Sequence, residues 1–244
     1  MGSELSKKLL AEFICSHFLV VAAISPTILG YNVLGAGIPL TVFIDAMAVG
    51  FVLFALIEAL GPISGCHINP AVTLSFMATR RMGVKEGSLY MTVQFIGGFT
   101  GAISSHLMFY NAVPTVITVS AICRPAGCYY AEFLGTFLLV LTISLCLKNE
   151  SKLTGLVVGL LVGGFIITTS STMFANPQVT IASVFTYSIA GICPADATPF
   201  MLAEIIGALV ATLVACLLFT PKGAPTTLTD IRSVAASDPE RKNR

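Results

Sequence analysis

Gly65-Cys66-His67-Ile68-Asn69-Pro70-Ala71-Val72-Thr73-Leu74 has a counterpart further along the chain, Thr172-Met173-Phe174-Ala175-Asn176-Pro177-Gln178-Val179-Thr180-Ile181. Both reduce to Asn-Pro-x-Val-Thr followed by Leu or Ile. Asn is a strong N-cap and Pro is at home at the first helical position, so each copy predicts a helix start. A lone Asn-Pro opens many turns and surface helices. Here each copy follows an apolar run, Leu40 to Leu60 or Leu153 to Thr169, and opens another short apolar segment. Both starts therefore belong at membrane depth, where non-helical backbone is tolerated only when buried in protein or lining a cavity. One such start in each half of a chain marks a site on a transport pathway.

The 244 residues are 55% apolar and 10% charged, with a mean hydropathy of +0.90. That is too apolar for a soluble domain and too evenly apolar for a globular head with one anchor. At roughly 20 residues per helical span, the composition predicts one all-α, polytopic membrane unit. Residues 1–220 form this single domain, with halves at about 7–110 and 130–219, and 221–244 reads as a disordered tail rich in Pro, Thr, Ser and charge. Six full spans are expected at about 8–30, 39–60, 88–110, 130–147, 153–170 and 200–219. The first apolar run, Leu9 to Leu29, lacks a small-residue cleavage site and reads as a span. Asn69 to Thr79 and Asn176 to Thr186 remain, each about 11 residues or roughly 16 Å of helix, half a bilayer core. Meeting tip to tip, they would make a seventh, broken span.

The halves repeat. Ala11-Glu12-Phe13-Ile14 matches Ala131-Glu132-Phe133-Leu134 at an offset of 120, and Gln94-Phe95-Ile96-Gly97 matches Glu204-Ile205-Ile206-Gly207 at 110. Asn69 and Asn176 are offset by 107. Three spans per half is an odd number, so the second half sits inverted and the site falls at the midplane. With the amino terminus inside, twelve Lys and Arg side chains lie on the cytoplasmic side and only Arg124 lies outside. This asymmetry places both termini in the cytoplasm. The formal net charge of +1 offers nothing to nucleic acid, and no such partner is expected.

Six spans, inverted halves, Asn69-Pro70-Ala71, Asn176-Pro177-Gln178 and the twin Ala-Glu-Phe segments resemble the aquaporin and aquaglyceroporin superfamily, from about Lys7 to Phe219. Gln178 departs from the family's usual Ala. The resemblance implies a homotetramer in which Glu12 and Glu132 brace the re-entrant loops by accepting backbone N–H bonds. It also implies an outer filter drawn from four counted positions: Val49, Gly164, Met173 and Val179. Water-selective members place an aromatic residue, His, a Cys or small residue, and Arg there. Val179 in the Arg position and Gly164 in the His position imply a wide, apolar opening without its fixed cation. Phe174 is bulky for its place and would fill part of that space. The Val179 filter resembles that of bacterial aquaglyceroporin-like channels associated with arsenite, which places the chain in a bacterial inner membrane.

The physics points the same way. Each half-helix N-terminus carries about half a positive charge and unsatisfied N–H groups, so two of them facing one pore repel cations. Asn69 and Asn176 would donate to a passing solute's oxygen while capping their helices. Gly65, Cys66, His67, Thr172 and Phe174 are expected to line the path with side chains or carbonyls. Asp45, one turn from Val49, is expected at the outer vestibule. Glu58 is nine residues from Val49, about 180° around the helix, and should face away from the pore toward a subunit contact.

The seven Cys form no zinc pattern and the three His have no carboxylate neighbours in sequence, so no metal and no cofactor are expected. Cys123 and Cys128 are available to pair with each other or with Cys193, and spacing leaves the choice open. No nucleophile–base constellation or phosphate loop occurs, so the chain is not read as an enzyme. The function expected is passive conduction of small uncharged solutes across the bilayer: water, glycerol and neutral metalloid hydroxides such as arsenite. Two competitors are a proton-coupled transporter or ion channel using Asp45, Glu58, Glu204 or the loop acids, and a junctional protein with negligible flux.

Overall fold

A long apolar run has no water to satisfy its backbone in a bilayer, so it must close its hydrogen bonds within the segment, as a helix. The computed structural model describes residues 2–219 and is all-helical, with no strand among the described residues; the expected tail, 221–244, lies outside them. In chain order the helices are α1 (Gly2–Thr27), α2 (Gly37–Ser64), α3 (Pro70–Ala78), α4 (Val84–Met108), α5 (Gly127–Lys148), α6 (Thr154–Thr168), α7 (Pro177–Ser183) and α8 (Pro194–Leu218). The segments α3 and α7 are the two predicted half-helices, and the other six occupy the predicted spans.

Several boundaries differ from expectation, each for a local reason. Pro26 removes the N–H that would close on Ala22, and α1 continues past Thr27 as a π-helical turn over Ile28–Val33. The helix α2 runs on to Ser64 and stops where Gly65 takes φ of +85°, its N–H closing on the Gly61 carbonyl at 2.8 Å. Only seven residues of α7 are helical, against eleven or so expected. Beyond Ser183, the Val184 carbonyl turns outward to accept from Ser120 N at 2.8 Å. Hydropathy alone recognises α1, α2, α5 and α8 as spans. The 25-residue α4 is diluted by Gln94, Ser105 and His106, all of which point inward and are buried.

The repeat in sequence becomes a repeat in packing. Against α1 lies α4, and against α5 lies α8, while α2 and α6 pack on each other across the halves. A Cβ on Gly97 would sit 2.6 Å from the Phe13 carbonyl oxygen, and one on Gly207 would sit 2.5 Å from that of Phe133. The matched Gly and Phe positions are thus the same backbone contact made twice. The α2–α6 seam is equally tight: a Cβ on Gly159 would lie 2.6 Å from Gly50 O, and one on Gly163 2.9 Å from Ala46 O. The outside of the bundle is apolar, with Leu160, Leu213 and Leu217 exposed by 65%, 60% and 74%, as a lipid-facing or subunit-facing surface requires.

Candidate functional site

The N-termini of α3 and α7 meet at the centre of the bundle. Asn69 caps α3, its Oδ1 accepting from Ala71 N at 2.8 Å, while its Nδ2 donates across to Ala175 O at 2.7 Å. Asn176 caps α7 in the same way, accepting from Gln178 N at 3.2 Å and donating to Ile68 O at 2.9 Å. Each amide nitrogen keeps a second N–H, and both residues line the central cavity. The two loops are laced together by their own caps.

The approaches to these caps are strained. Cys66, Ile68, Thr172, Met173 and Ala175 all have positive φ, between +43° and +63°. Each non-glycine residue held there costs about 1–3 kcal/mol and needs surroundings that enforce it. Two buried carboxylates supply the enforcement. Glu12 accepts from His67 N and Ile68 N, both at 2.9 Å, from Ser64 Oγ at 2.8 Å and from Gln94 Nε2 at 2.8 Å. Glu132 accepts from Phe174 N at 2.9 Å and Ala175 N at 2.5 Å, and it faces the carboxyl of Glu204.

The cavity between the loops and the helices holds about 100 Å³. His67, Asn69, Thr172 and Asn176 bring polar groups to its wall, as do Thr27, Asp45 and Ser183; most of the lining is apolar, with Leu53, Leu139, Val158 and Val162 among it. Of the counted filter positions, Val49, Met173 and Val179 line this cavity and share one buried apolar cluster. Cys66 and Phe174 line it as well. Pro70, Ala71, Pro177 and Gln178 are buried behind the caps instead.

Two expectations are corrected. Gly164 does not line the cavity: it is exposed, with nothing within 4 Å of its Cβ position. It shares the outer face of α6 with Leu160 and Ile167, while Val158, Val162 and Ile166 face inward at the helical period. Two residues turn a helix by about 200°, so Gly164 and its inward neighbours look in opposite directions. The count of twelve back from Asn176 crosses a loop, and a loop's length carries no register. Ile166 therefore occupies the wall that Gly164 was expected to leave open. Gly65 is likewise exposed and acts as the stop of α2, outside the cavity lining.

Asp45 faces the cavity as expected, and its buried Oδ1 has no hydrogen-bond partner. Glu58 is exposed, lies outside the cavity lining and rests against Gly155 of α6. His67 is held by Thr73 Oγ1 at 3.2 Å and packs on the Phe76 ring at 4.2 Å. Beside Cys66 stands Cys15, with 3.2 Å between the sulfurs. The Phe174 ring leans on Phe200 at 5.6 Å, and the Arg124 guanidinium stacks 5.4 Å from its centroid without lining the cavity. Burial holds the Arg124 guanidinium below its ordinary pKa. Cys128 is buried and donates to Ser170 O, whereas Cys123 approaches Cys193; all seven thiols are free.

Sequence reasoning passed over the partners of the bracing acids. Gln178 donates Nε2 to Ile68 O at 2.8 Å, so that carbonyl takes two bonds. Gln94 and Glu204 occupy matched places beside Glu12 and Glu132, and their match in the repeat was the available signal.

Comparison with known proteins agrees with this architecture. The family model described as major intrinsic protein matches residues 2–175. The chain is 33% identical over 208 residues to aquaglyceroporin AqpS of Rhizobium meliloti, covering 85% of this chain and 88% of that one. It is 34% identical over 192 residues to aquaporin AqpM of Methanothermobacter thermautotrophicus, covering 68% and 76%. Among solved structures, the aquaglyceroporin from Plasmodium falciparum superposes with a TM-score of 0.62 at 18% identity, covering 87% of this chain and 94% of that one, and so shares the fold. A six-span inverted repeat whose two capped half-helices interlock above a central cavity is therefore a transmembrane channel and not an enzyme, and the chain belongs to the major intrinsic protein family of aquaporins and aquaglyceroporins.

Proposed function

We propose that the chain conducts water, glycerol and neutral metalloid hydroxides such as arsenite, passively, through the cavity between α3 and α7. The observation that carries this reading is the make-up of the cavity wall, a few polar groups around the two capping Asn set in a mainly apolar lining. A solute with a few hydroxyls on an otherwise compact body satisfies both at once, while an ion would lose its hydration against the apolar lining. Val49, Ile166, Met173 and Val179 form the constriction in this reading. It is apolar on every side and lacks the usual Arg, and Ile166 makes it tighter than Gly164 would have done.

Three of the buried acids speak against gradient coupling. Glu12, Glu132 and Glu204 are all committed to hydrogen bonds behind the loops, and none lines the cavity. Asp45, Cys66 and His67 are the titratable groups that do. The Lys and Arg asymmetry supports cytoplasmic termini, and the bacterial relative supports a bacterial inner membrane. The apolar outer surface fits a homotetramer in lipid.

Purified protein in liposomes, followed by stopped-flow light scattering, tests the reading. Water, glycerol and arsenite fluxes should rise linearly with their gradients and ignore a proton gradient. Flux that saturates and follows the proton gradient would identify a coupled transporter instead.

A further inference from the structure

At the end of the bundle away from the amino terminus, three side chains converge from separate stretches of chain. Cys123 comes from the connection between α4 and α5; Cys193 and Asp196 come from the start of α8. Their two sulfurs and a carboxylate oxygen all lie within 4.8 Å of one another, with Cys193 Sγ 3.1 Å from Asp196 Oδ2. Metal–sulfur bonds of about 2.3 Å in a tetrahedral site place neighbouring sulfurs roughly 3.8 Å apart, within that limit.

The carboxylate is already oriented. Asp196 Oδ2 accepts from Arg124 N at 2.6 Å and Oδ1 accepts from Tyr129 OH at 2.8 Å, the kind of support that fixes metal-ligating groups. The two cysteine segments are registered by a backbone bond from Cys193 N to Ile122 O at 2.7 Å. Cys193 is buried and Cys123 exposed, so the cluster has a firm floor and an open side. The Arg124 guanidinium is turned away, donating to Gly191 O at 2.7 Å, and leaves the sulfurs free of a competing cation.

We propose that Cys123, Cys193 and Asp196 form a binding site for a divalent cation of the zinc group, with water in the fourth position. Two thiolates select soft and borderline metals over hard ones, and one carboxylate completes a three-ligand open site. A bound ion ties the α4–α5 connection to the start of α8. That connection carries Arg124, which grips the loop whose Ile189 and Ala190 line the cavity. The site therefore sits where ligation stiffens the cavity's wall.

The full-length protein, kept reduced in detergent, is titrated with Cd²⁺ by calorimetry, with Ca²⁺ as the hard-cation control. One Cd²⁺ should bind per chain, with affinity at least about tenfold weaker in C123S, C193S and D196N. The C216S variant, whose thiol lies at the far end of α8, should bind normally. In the wild type, saturating Cd²⁺ should block maleimide labelling of Cys123, a readout that needs no variant to fold. Full binding by the C123S/C193S double variant, undiminished labelling, or equal affinity for Ca²⁺ overturns the site. A Cys123–Cys193 disulfide that survives dithiothreitol overturns it too, since no thiolate would remain to ligate.

Discussion

The first re-entrant loop is braced by a carboxylate whose partners are all donors: two backbone N–H groups, Ser64 and the amide of Gln94. The second is braced by Glu132, which takes two backbone N–H groups and Ser171 in the same way but has another carboxyl, Glu204, where the first has an amide. The hydroxyls match: Thr73 Oγ1 lies 3.1 Å from Gln94 Nε2, and Thr180 Oγ1 donates to Glu204 Oε1 at 2.7 Å. Two carboxyls side by side bond only with a proton between them and otherwise repel. The tips differ in the opposite sense, since Ile68 O receives both Asn176 and Gln178 while Ala175 O receives Asn69. One geometry is thus reached by two chemistries, and the half with the weaker brace has the extra amide at its tip.

Removing a brace gives the largest expected effect and tests whether the two are equal. Glu12→Ala orphans two buried backbone N–H groups together with Ser64 and Gln94, at about 1–3 kcal/mol per group. Glu132→Ala orphans two N–H groups and Ser171 and leaves Glu204 at hand. Folded yield and thermal stability in detergent should fall for both, and further for Glu12→Ala by the one donor, Gln94, that has no counterpart beside Glu132. Equal losses would erase the distinction.

Exchanging the partners comes next. Gln94→Glu sets two carboxyls together in the first half and should lower stability by about 2 kcal/mol or more. Glu204→Gln gives Glu132 an amide donor like that of the first half, and should hold or raise stability by about 1 kcal/mol. Thermal melts in detergent read both. If Glu204→Gln unfolds the protein, a proton held between the two carboxyls is an asset of the second half and the comparison reverses.

Three residues beyond each capping Asn stand Val72 and Val179, both on the cavity wall. Arg at position 179 adds a charge whose effect on a cation about 4 Å away is roughly 1–4 kcal/mol for dielectric constants of 80 to 20. Because Ile166 fills the facing wall, Val179→Arg should suppress glycerol and arsenite strongly, reduce water less, and lower any cation leak. Liposome fluxes normalised to inserted protein measure all four, and native glycerol and arsenite rates would move Val179 off the constriction. The smallest effect belongs to Gln178→Ala. It removes one of two donors to Ile68 O, along with a buried Oε1 that has no partner, and should cost about 0.5–1.5 kcal/mol with water flux unchanged. Collapse of the fold in this variant would make Gln178, and not Glu132, the main support of the second loop.

What could be read from the chain was what repeats. The Asn-Pro boxes, the Ala-Glu-Phe segments and the matched Gln94 and Glu204 stretches occur twice, and each pair proved to be one contact made in both halves. Val49, counted back from Asn69 across a loop, reached the wall, and Asp45, placed one turn from it on the same helix, faces the cavity too. Gly164 was counted across the other loop, whose length differs from the one assumed, and loop length costs little and leaves no periodic trace. The inward row Val158, Val162 and Ile166 was present in the sequence at a helical period and would have corrected it. The convergence of Cys123 with Cys193 and Asp196 had no such trace. It depends on an irregular connection whose path is set by bonds such as Ser120 N to Val184 O, not by any local pattern.

The seam where α2 meets α6 carries a consequence for how such a channel is calibrated. Gly50, Gly159 and Gly163 bring the two backbones into direct touch, and these same helices carry Val49, Val158 and Val162 on the facing walls. The distance between these two walls is therefore set by main chain pressed on main chain, outside the lumen. A single methyl added at Gly159 would wedge the helices apart and shift every wall residue together, leaving the chemistry of the lining untouched. The spacing of the two helices is thus held by residues that no solute touches, and the lining side chains work within the width it leaves.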